Sequence, residues 1–297
     1  MTSEDTDVER GFVEVGDHRL GYVAAGSGPL MLLHHGFPSC GATFRNEVVE
    51  FSGTHRVVAI DGLGANHSSK PADLDAYRID RLVDLVDGVA RHFGGDEPFT
   101  LVGHDWGAVL SWAFAQARPE RLRAMVSMAG LPFNQLIHLL QTDDDQRTRS
   151  DYMWSMRDGS MHEFMTAADS SKLWRYIHEP LLDLPAFDET MQRETQAAFA
   201  VPGAIDAGID WYRANIPERD QLAAAEPWPS ADARTAVPVL QIWGEDDGTF
   251  SPRFMDELGR YADDVTVLRI PGGRHWPMLE APTEVHAAMR ALLDRVV

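Results

Sequence analysis

The hydrophobic residues of this chain follow two patterns, short continuous runs and longer stretches in which they recur every three or four positions. The short runs end at Gly, Pro or Asp, which predicts buried strands. The predicted strands span residues 12–15, 20–24, 30–34, 56–61, 98–100, 122–128, 237–243 and 265–270. The predicted helices span residues 78–93, 108–117, 252–261 and 282–297. Because strands and helices alternate, we predict an α/β fold with a mostly parallel sheet flanked by helices.

A long segment interrupts this alternation before the last two predicted strands. From residue 134 to residue 232 no strand is predicted, and Met, Trp, Gln and charged residues alternate at helical spacing. A helical insertion between two strands of such a sheet is expected to cover the carboxyl ends of the strands, where α/β proteins bind ligands. We therefore predict two segments of one core, residues 1–133 and 233–297, and a helical cap formed by residues 134–232.

The composition narrows the classes of partner and compartment. The 297 residues are 44% hydrophobic and carry 26 Lys and Arg against 46 Asp and Glu, which gives a net charge of −20. Such an acidic surface repels nucleic acid and anionic lipid, so we expect a small neutral organic substrate; a homodimer is compatible with these features. Residues 1–5 do not resemble a signal peptide, no apolar run reaches membrane-spanning length, and Cys40 has no second cysteine to pair with. These features predict a cytoplasmic protein.

One predicted junction between a strand and a helix contains an unusual turn. Gly103-His104-Asp105-Trp106-Gly107 separates the strand that begins near residue 98 from the helix at 108–117. Glycines two positions before and after the central residue are typical of a nucleophile elbow, a sharp turn in which only small residues fit beside the backbone. The residue at the apex is Asp105, where esterases and lipases have serine.

A carboxylate at the apex changes the chemistry that this turn supports. It is already charged at neutral pH, and the N-terminus of the following helix favours the anion. A carboxylate nucleophile is suited to displacing a leaving group from a saturated carbon and holding the product as an ester. The alternative interpretation is that Asp105 only caps the helix.

Hydrolysis of such an ester requires a base that activates water and an acid that orients the base. In a fold with a nucleophile elbow, the expected chain order is nucleophile, acid, histidine. Asp247 and His275 each follow a predicted strand, so both are expected at the same edge of the sheet as Asp105. His275 is therefore the candidate base and Asp247 the candidate orienting acid, with Asp246 and Glu245 as rivals.

Water must attack the carbonyl carbon of the ester, and the negative charge that develops there requires N–H donors. The elbow supplies the backbone N–H of Trp106, the residue after the candidate nucleophile. The loop His35-Gly36-Phe37-Pro38 follows the third predicted strand and supplies the backbone N–H of Phe37. We therefore predict an oxyanion hole formed by Phe37 and Trp106, although a plain Gly-Pro turn is the alternative for the loop.

Four motifs together resemble the epoxide hydrolases of the α/β-hydrolase fold, an aspartate-nucleophile branch shared with haloalkane dehalogenases. The resemblance begins near residue 12, covers nearly the whole chain and is weakest in the cap. The motifs are His35-Gly36-Phe37-Pro38, Gly103-His104-Asp105-Trp106-Gly107, Trp243-Gly244-Glu245-Asp246-Asp247 and His275-Trp276-Pro277-Met278-Leu279-Glu280-Ala281-Pro282. The resemblance implies that Asp105 is the nucleophile, His275 the base and Asp247 its partner.

Two positions depart from the family pattern. Leu63 stands where relatives often have arginine, and Arg274 stands where glycine often precedes the histidine. Neither departure removes a catalytic group, but the loop geometry and the shape of the pocket are expected to differ from those of relatives.

Opening an epoxide produces an alkoxide, which needs a proton donor, and a tyrosine can hydrogen-bond the ring oxygen and then donate. The family that this chain resembles uses two cap tyrosines. Tyr212 resembles one of them, in Asp210-Trp211-Tyr212-Arg213-Ala214-Asn215. Tyr152 matches the other mainly by its distance from the elbow, and Tyr176 competes with it. For Tyr152 and Tyr176, aromatic packing between cap helices is the alternative.

Haloalkane dehalogenases resemble this chain in the same Asp–His–acid machinery and give the leading alternative function. A halide leaves without a proton and needs only N–H donors, in that family usually a Trp matching Trp106 plus a cap Trp or a loop Asn. The loop position is Phe37 here, which has no side-chain donor, whereas Trp154, Trp174 and Trp211 remain candidates. A non-catalytic ligand-binding protein is a third hypothesis, and the complete triad argues against it.

Three other patterns do not predict sites. Gly62-Leu63-Gly64 lacks the third glycine and the immediate helix of a dinucleotide site. The 12 histidines show no metal-ligand spacing, and Asp143-Asp144-Asp145 is typical of a solvated acidic run. No metal or cofactor is expected. The predicted function is hydrolysis of an epoxide to a vicinal diol through a covalent ester on Asp105.

Overall fold

The computed structural model describes residues 8–167 and 171–296, so the acidic residues 1–5 considered above lie outside the described residues. The strands of the described chain are β1 (Glu9–Val15), β2 (His18–Ala25), β3 (Leu30–His34), β4 (Arg56–Ile60), β5 (Phe99–His104), β6 (Leu122–Met128), β7 (Val239–Gly244) and β8 (Val265–Ile270). The helices are α1 (Arg45–Phe51), α2 (Ile79–Gly94), α3 (Trp106–Ala117), α4 (Phe133–Thr142), α5 (Asp144–Arg149), α6 (Asp151–Arg157), α7 (His162–Thr166), α8 (Ser171–Ile177), α9 (Glu189–Ala200), α10 (Ala204–Asn215), α11 (Arg253–Glu257), α12 (Pro277–Glu280) and α13 (Pro282–Arg295).

All eight strands form one sheet in the order β1-β2-β4-β3-β5-β6-β7-β8. β1 and β2 pair as an antiparallel hairpin, β2 and β4 are also antiparallel, and every other neighbouring pair is parallel. The central strands β3, β5 and β7 are buried at every position. Such continuous burial is expected because helices cover both faces of a parallel sheet. The predicted α/β fold with a mostly parallel sheet is confirmed.

The helices of the core form two layers. α2 and α3 pack their apolar side chains on one face of the sheet, where Val83, Val89 and Phe114 are fully buried. α1 and α13 cover the other face, where Val285 and Met289 are fully buried. In α2 and α13 the amphipathic spacing therefore reports which side of the helix faces the sheet, whereas α3 is buried on all sides.

Three element boundaries differ from the prediction. β7 begins at Val239 rather than at residue 237, because Pro238 has no N–H to donate to the ladder. The predicted helix at 252–261 divides into α11 and a short 3₁₀ turn, Leu258–Arg260. The last helix ends at Arg295 rather than at the final residue.

The predicted helical insertion lies between β6 and β7. The described residues of this segment contain the helices α4 to α10 and none of the strands. Helix α4 begins at Phe133, one residue before the predicted limit. The assignment of residues 134–232 to a separate cap remains a prediction, since the contacts of this segment are continuous with the core cluster.

Cys40 is buried as a free thiol, as its lack of a partner cysteine requires. Within the two described ranges, none of the helices combines the length and the apolar composition that crossing a membrane requires.

Candidate active site

The sheet brings the predicted site residues to one edge. The strand order reverses around β3, which has β4 on one side and β5 on the other. The loops that follow β3 and β5 therefore separate, and such a reversal creates a crevice at the carboxyl ends of parallel strands. Phe37 follows β3, Asp105 follows β5, Asp247 follows β7 and His275 follows β8.

The turn at Asp105 has the strained backbone of a nucleophile elbow. Its φ of 53° and ψ of −120° are unusual for a residue other than glycine. A Cβ on Gly103 would lie within 3.0 Å of the carbonyl group of Gly107, and a Cβ on Gly107 within 3.0 Å of the carbonyl group of His34. Asp105 occupies the N-cap position of α3, but its side chain makes no capping hydrogen bond. The interpretation of Asp105 as merely a helix cap is therefore wrong.

The two carboxylate oxygens of Asp105 have different neighbours. The backbone N–H of Phe37 donates to Oδ1 across 2.7 Å. Oδ2 lies 3.6 Å from Nε2 of His275. Trp106 is the first residue of α3, so its N–H has no acceptor within the helix. Oδ1 thus accepts a hydrogen bond from a backbone N–H, while Oδ2 faces the imidazole.

His275 is held by Asp247 alone among the three acids of its neighbouring loop. Its Nδ1 lies 3.0 Å from Oδ2 of Asp247, whose side chain is only 1% exposed. Glu245 and Asp246 point to solvent. Burial alone would raise the pKa of Asp247, but the charge and hydrogen bond of His275 and the N–H of Thr249 lower it below its usual value.

The electrostatics of His275 are set by two carboxylates. Burial alone would lower its pKa, but Asp247 and Asp105 outweigh this effect and raise the pKa to about 10. The imidazole is therefore protonated at neutral pH as long as both carboxylates are charged. A protonated imidazole cannot accept a proton, and a loss of charge on either carboxylate would favour the neutral form of the ring.

Two further residues contact the triad, and the sequence interpretation did not assign either of them. Burial lowers the pKa of His104 to about 4, so its ring is neutral, and its Nε2–H donates to the carbonyl oxygen of His275 across 2.7 Å. The N–H of Thr249 donates to Oδ1 of Asp247 across 2.8 Å. The position of His104 next to Asp105 could have suggested its role, whereas Thr249 lies outside the motif that ends at Asp247.

Two tyrosines from the helical segment between β6 and β7 lie near the candidate site. Tyr212 is buried on α10, with its ring centroid 5.1 Å from that of Trp106 and 6.1 Å from that of Phe37. Tyr152, on α6, lies 6.1 Å from Tyr212 between ring centroids. Tyr176 is 71% exposed and packs on Phe164 instead. The structure therefore brings Tyr212 and Tyr152 together and leaves Tyr176 outside.

Burial is the main reason that both cap tyrosines hold their protons. It raises the pKa of Tyr212 above its usual value of 10, and the charge of Asp105 adds to this shift. It also raises the pKa of Tyr152, with further increases from Tyr212 and Asp105. Both hydroxyl groups therefore remain hydrogen-bond donors throughout the neutral pH range.

Two of the three tryptophans considered as halide donors have indole N–H groups that donate to backbone carbonyls. The indole N–H of Trp154 donates to the carbonyl oxygen of Pro217, and that of Trp211 donates to the carbonyl oxygen of Leu63, each across 3.0 Å. Trp174 stacks on His178 with ring centroids 4.8 Å apart. The expectation that Trp154 or Trp211 has an indole donor available for a halide is therefore wrong.

A small cavity of about 30 Å³ adjoins the loop after β3. Its apolar walls come from the core loops and the cap, and they include Phe37, Leu63, Trp106, Phe199, Ile205 and Trp211. Leu63 thus forms part of an apolar wall. Arg274 instead forms an ion pair with Glu280, with Nε 3.0 Å from Oε1, on the loop before His275.

The acidic run at residues 143–145 has a local structural role at the start of α5. Asp143 is the N-cap of α5, since its carboxylate accepts from the N–H of Asp145, and Asp144 and Asp145 are exposed. In the described portion of the chain, no group of three or more His, Cys, Asp or Glu side chains is arranged to hold a metal ion.

Comparisons with known proteins agree with this geometry. Residues 29–282 match the family model described as alpha/beta hydrolase fold. The chain is 29% identical over 282 residues to epoxide hydrolase 3 of Mus musculus, covering 93% of this chain and 74% of that protein. It is 31% identical over 285 residues to the AB hydrolase superfamily protein YfhM of Bacillus subtilis, covering 93% of this chain and 94% of that protein.

A solved structure extends the agreement to the backbone. The crystal structure of the Bacillus megaterium epoxide hydrolase in complex with an inhibitor superposes with a TM-score of 0.88 at 29% identity, covering 96% of this chain and all of that one. The resemblance to epoxide hydrolases that the motifs predicted is confirmed by these relatives. With the matched family model spanning both core segments and the elbow, the chain belongs to the α/β hydrolase fold family.

Proposed function

We propose that this protein is an epoxide hydrolase that converts a small epoxide and water into a vicinal diol through an ester on Asp105. The observation that carries the proposal is the unequal environment of the Asp105 carboxylate. Oδ1 accepts the Phe37 N–H across 2.7 Å, and Oδ2 lies 3.6 Å from Nε2 of His275. Such an arrangement suits an ester whose carbonyl oxygen stays at Oδ1 while Oδ2 bonds to the substrate.

In the first step, Oδ2 of Asp105 displaces the ring oxygen from one epoxide carbon. The C–O bond to Oδ2 forms as the C–O bond of the ring breaks, and the ring oxygen leaves as an alkoxide. Tyr212 and Tyr152 hydrogen-bond this oxygen and supply its proton. The raised pKa values of both tyrosines support this role, because each hydroxyl keeps its proton until the alkoxide forms.

Ester formation then prepares the base for the second step. The ester carries no charge at Asp105, so one of the two carboxylates that raise the pKa of His275 is lost. The pKa of His275 falls, and the proton that it releases balances the one taken up by the alkoxide. The neutral imidazole, oriented by Asp247, can now activate water.

In the second step, water adds to Cγ of Asp105 and gives its proton to Nε2 of His275. The backbone N–H groups of Phe37 and Trp106 stabilise the negative charge on Oδ1. Collapse of this tetrahedral intermediate breaks the bond between Cγ and Oδ2, and the remaining proton of the added water passes to the leaving Oδ2. The diol therefore leaves with Oδ2, and the oxygen of water remains in the carboxylate.

The surroundings of the site support a neutral organic substrate. The cavity walls are mostly apolar and aromatic, and the chain carries a net charge of −20. An anionic substrate would approach against this charge. The free, buried thiol of Cys40 is consistent with the predicted cytoplasmic location.

The proposal is tested by comparing diol release from styrene-type epoxides with halide release from short haloalkanes. We expect diol and no halide, because epoxide opening uses the two tyrosines, whereas Trp154 and Trp211 donate to backbone carbonyls. Free halide without diol would favour the dehalogenase alternative. Binding of the epoxide without turnover would favour a ligand-binding protein.

Oxygen isotopes test the covalent route. In a single turnover in heavy-oxygen water with enzyme in excess, the first diol should contain ordinary oxygen, because Oδ2 of Asp105 is transferred to it. The peptide that contains Asp105 should gain one heavy oxygen. Mass spectrometry of diol and peptide provides both measurements, and heavy oxygen in the first diol would contradict the ester.

The cap tyrosines give a prediction with a built-in control. Tyr212→Phe and Tyr152→Phe should each slow ester formation by a factor of about 10 to 100, because each removes one proton donor to the alkoxide. The double variant should be slower than either. Tyr176→Phe is the control, since Tyr176 is 71% exposed, and its rate should match that of the wild type. Stopped-flow measurement of ester formation checks all four, and a loss confined to Tyr176→Phe would contradict the assignment.

A further inference from the structure

Helix α10 approaches the loop after β3 most closely at Gly208. A Cβ built on Gly208 would lie less than 3.0 Å from two ring carbons of Phe37 and 3.1 Å from its Cζ. The helix backbone therefore lies directly against the Cδ2–Cε2 side of this ring, and a side chain at 208 would require Phe37 or the helix to move. Because alanine has the higher intrinsic helix propensity, glycine in the middle of α10 is explained by this approach and not by the helix itself.

Both partners of this contact belong to the proposed site. Phe37 contributes its backbone N–H to Oδ1 of Asp105. Tyr212 lies one turn after Gly208 on α10, and its ring meets that of Phe37 at 75° with centroids 6.1 Å apart. A displacement of Phe37 relative to α10 would therefore change the distance between the proton donor and the N–H donor.

Two neighbouring contacts restrict the helix further. A Cβ on Gly64, whose φ is 92°, would lie 2.7 Å from Cβ of Ala207. The indole N–H of Trp211 donates to the carbonyl oxygen of Leu63 across 3.0 Å. Since Ala207, Gly208 and Trp211 lie on one face of α10, this face is held against two core loops. The clash of an added methyl group at 208 would therefore fall on Phe37 rather than on the helix.

We propose that Gly208 is a positioning residue. Its lack of a side chain allows the ring of Phe37 to pack against α10, and this packing sets the distance between the N–H of Phe37 and the hydroxyl of Tyr212 that the reaction requires. This inference rests on the proposed function for the role of the two donors. The packing itself does not depend on that function, and the experiment below separates the two.

The first variant is Gly208→Ala. It should slow ester formation by a factor on the order of 100, because misplacement of a catalytic group by about 1 Å has that effect. We expect kcat to fall by a larger factor than KM changes, because the proposed effect is on two groups that act in ring opening, although Gly208 also lines the cavity. Gly53→Ala is the matched control, because a Cβ there has no heavy atom within 4 Å, and its rate should equal that of the wild type.

The second variant tests the route through Phe37. Phe37→Ala retains the backbone N–H but removes the ring. It should slow ester formation by about tenfold, because the contact between the ring and α10 is lost. Adding Gly208→Ala to Phe37→Ala should then change the rate by less than about threefold, because the ring that it would strike is gone. Equal losses in both backgrounds, or a wild-type rate in either single variant, would overturn the proposal. If Gly208→Ala does not fold, the rate of Phe37→Ala decides.

Amide hydrogen exchange gives a readout that does not require catalysis. The N–H of Phe37 is held by Oδ1 of Asp105, so its exchange in the peptide at residues 35–39 should be slow in the wild type and at least tenfold faster in Gly208→Ala. Unchanged exchange would overturn the positioning role. If exchange is faster in Gly208→Ala than in the wild type but the wild type makes no diol, the positioning inference is retained and the proposed function is rejected.

Discussion

Asp105→Asn should reduce diol formation by at least about a thousandfold while leaving the affinity for the epoxide nearly unchanged. Asparagine has the same shape, and its amide oxygen can still accept the Phe37 N–H that Oδ1 accepts in the wild type. It cannot displace the ring oxygen, because an amide is far less nucleophilic than a carboxylate. The measurement is steady-state diol release together with equilibrium binding of a slowly reacting epoxide or of the diol product.

The control for this variant is Asp246→Asn, which removes the same charge at the same edge of the sheet. Asp246 is exposed, whereas Asp247 forms the hydrogen bond to His275, so this change should leave turnover at the wild-type rate. Diol formation by Asp105→Asn at a rate near that of wild type would exclude the ester on Asp105. Loss of binding together with activity would indicate that the carboxylate has a structural role instead.

The elbow could be predicted from the sequence because its requirements are local. Gly103 and Gly107 leave room for the backbone at the turn, and the strand before it and the helix after it have clear periodicities. Asp247 and His275 could be predicted for a related reason. Each follows a buried strand, and parallel strands bring their carboxyl ends to one edge, so their chain positions already imply their proximity.

The cap side of the site could not be predicted in the same way. Helical spacing in this segment does not reveal which face of each helix meets the core, so Tyr176 remained a competitor of Tyr152 although it is 71% exposed. The indole acceptors of Trp154 and Trp211 are backbone carbonyls distant in sequence, which no pattern records. The contact of Gly208 with Phe37 is of the same kind, since it depends on how closely two elements approach.

His275→Gln should stop the reaction at the ester. Ring opening does not require a base at this position, because Oδ2 of Asp105 is the nucleophile and the tyrosines supply the proton. Hydrolysis does require the base, so turnover should fall by at least about a thousandfold while one equivalent of epoxide is consumed per enzyme. Intact-mass spectrometry should show an adduct with the mass of the substrate, located on the peptide that contains Asp105. A loss of turnover without an adduct would contradict this order of steps.

The pH dependence of the two steps distinguishes the proposed activation of His275 from a base that is neutral at the outset. With both carboxylates charged, the pKa of His275 is raised to about 10, so the imidazole is protonated when the epoxide enters at neutral pH. Esterification removes the charge of Asp105, and the remaining influence of Asp247 should leave a pKa between about 10 and the ordinary value of about 6.5. Wild-type ester formation should therefore be nearly constant from about pH 6 to 9, whereas ester hydrolysis should rise with pH through that lower pKa.

Asp247→Asn should move the rise in the hydrolysis rate to lower pH, because the second carboxylate that favours the imidazolium is then also neutral. The measurement is the single-turnover rate of each step as a function of pH. If the hydrolysis rate rises only near pH 10 in both proteins, esterification does not lower the pKa of His275 as proposed.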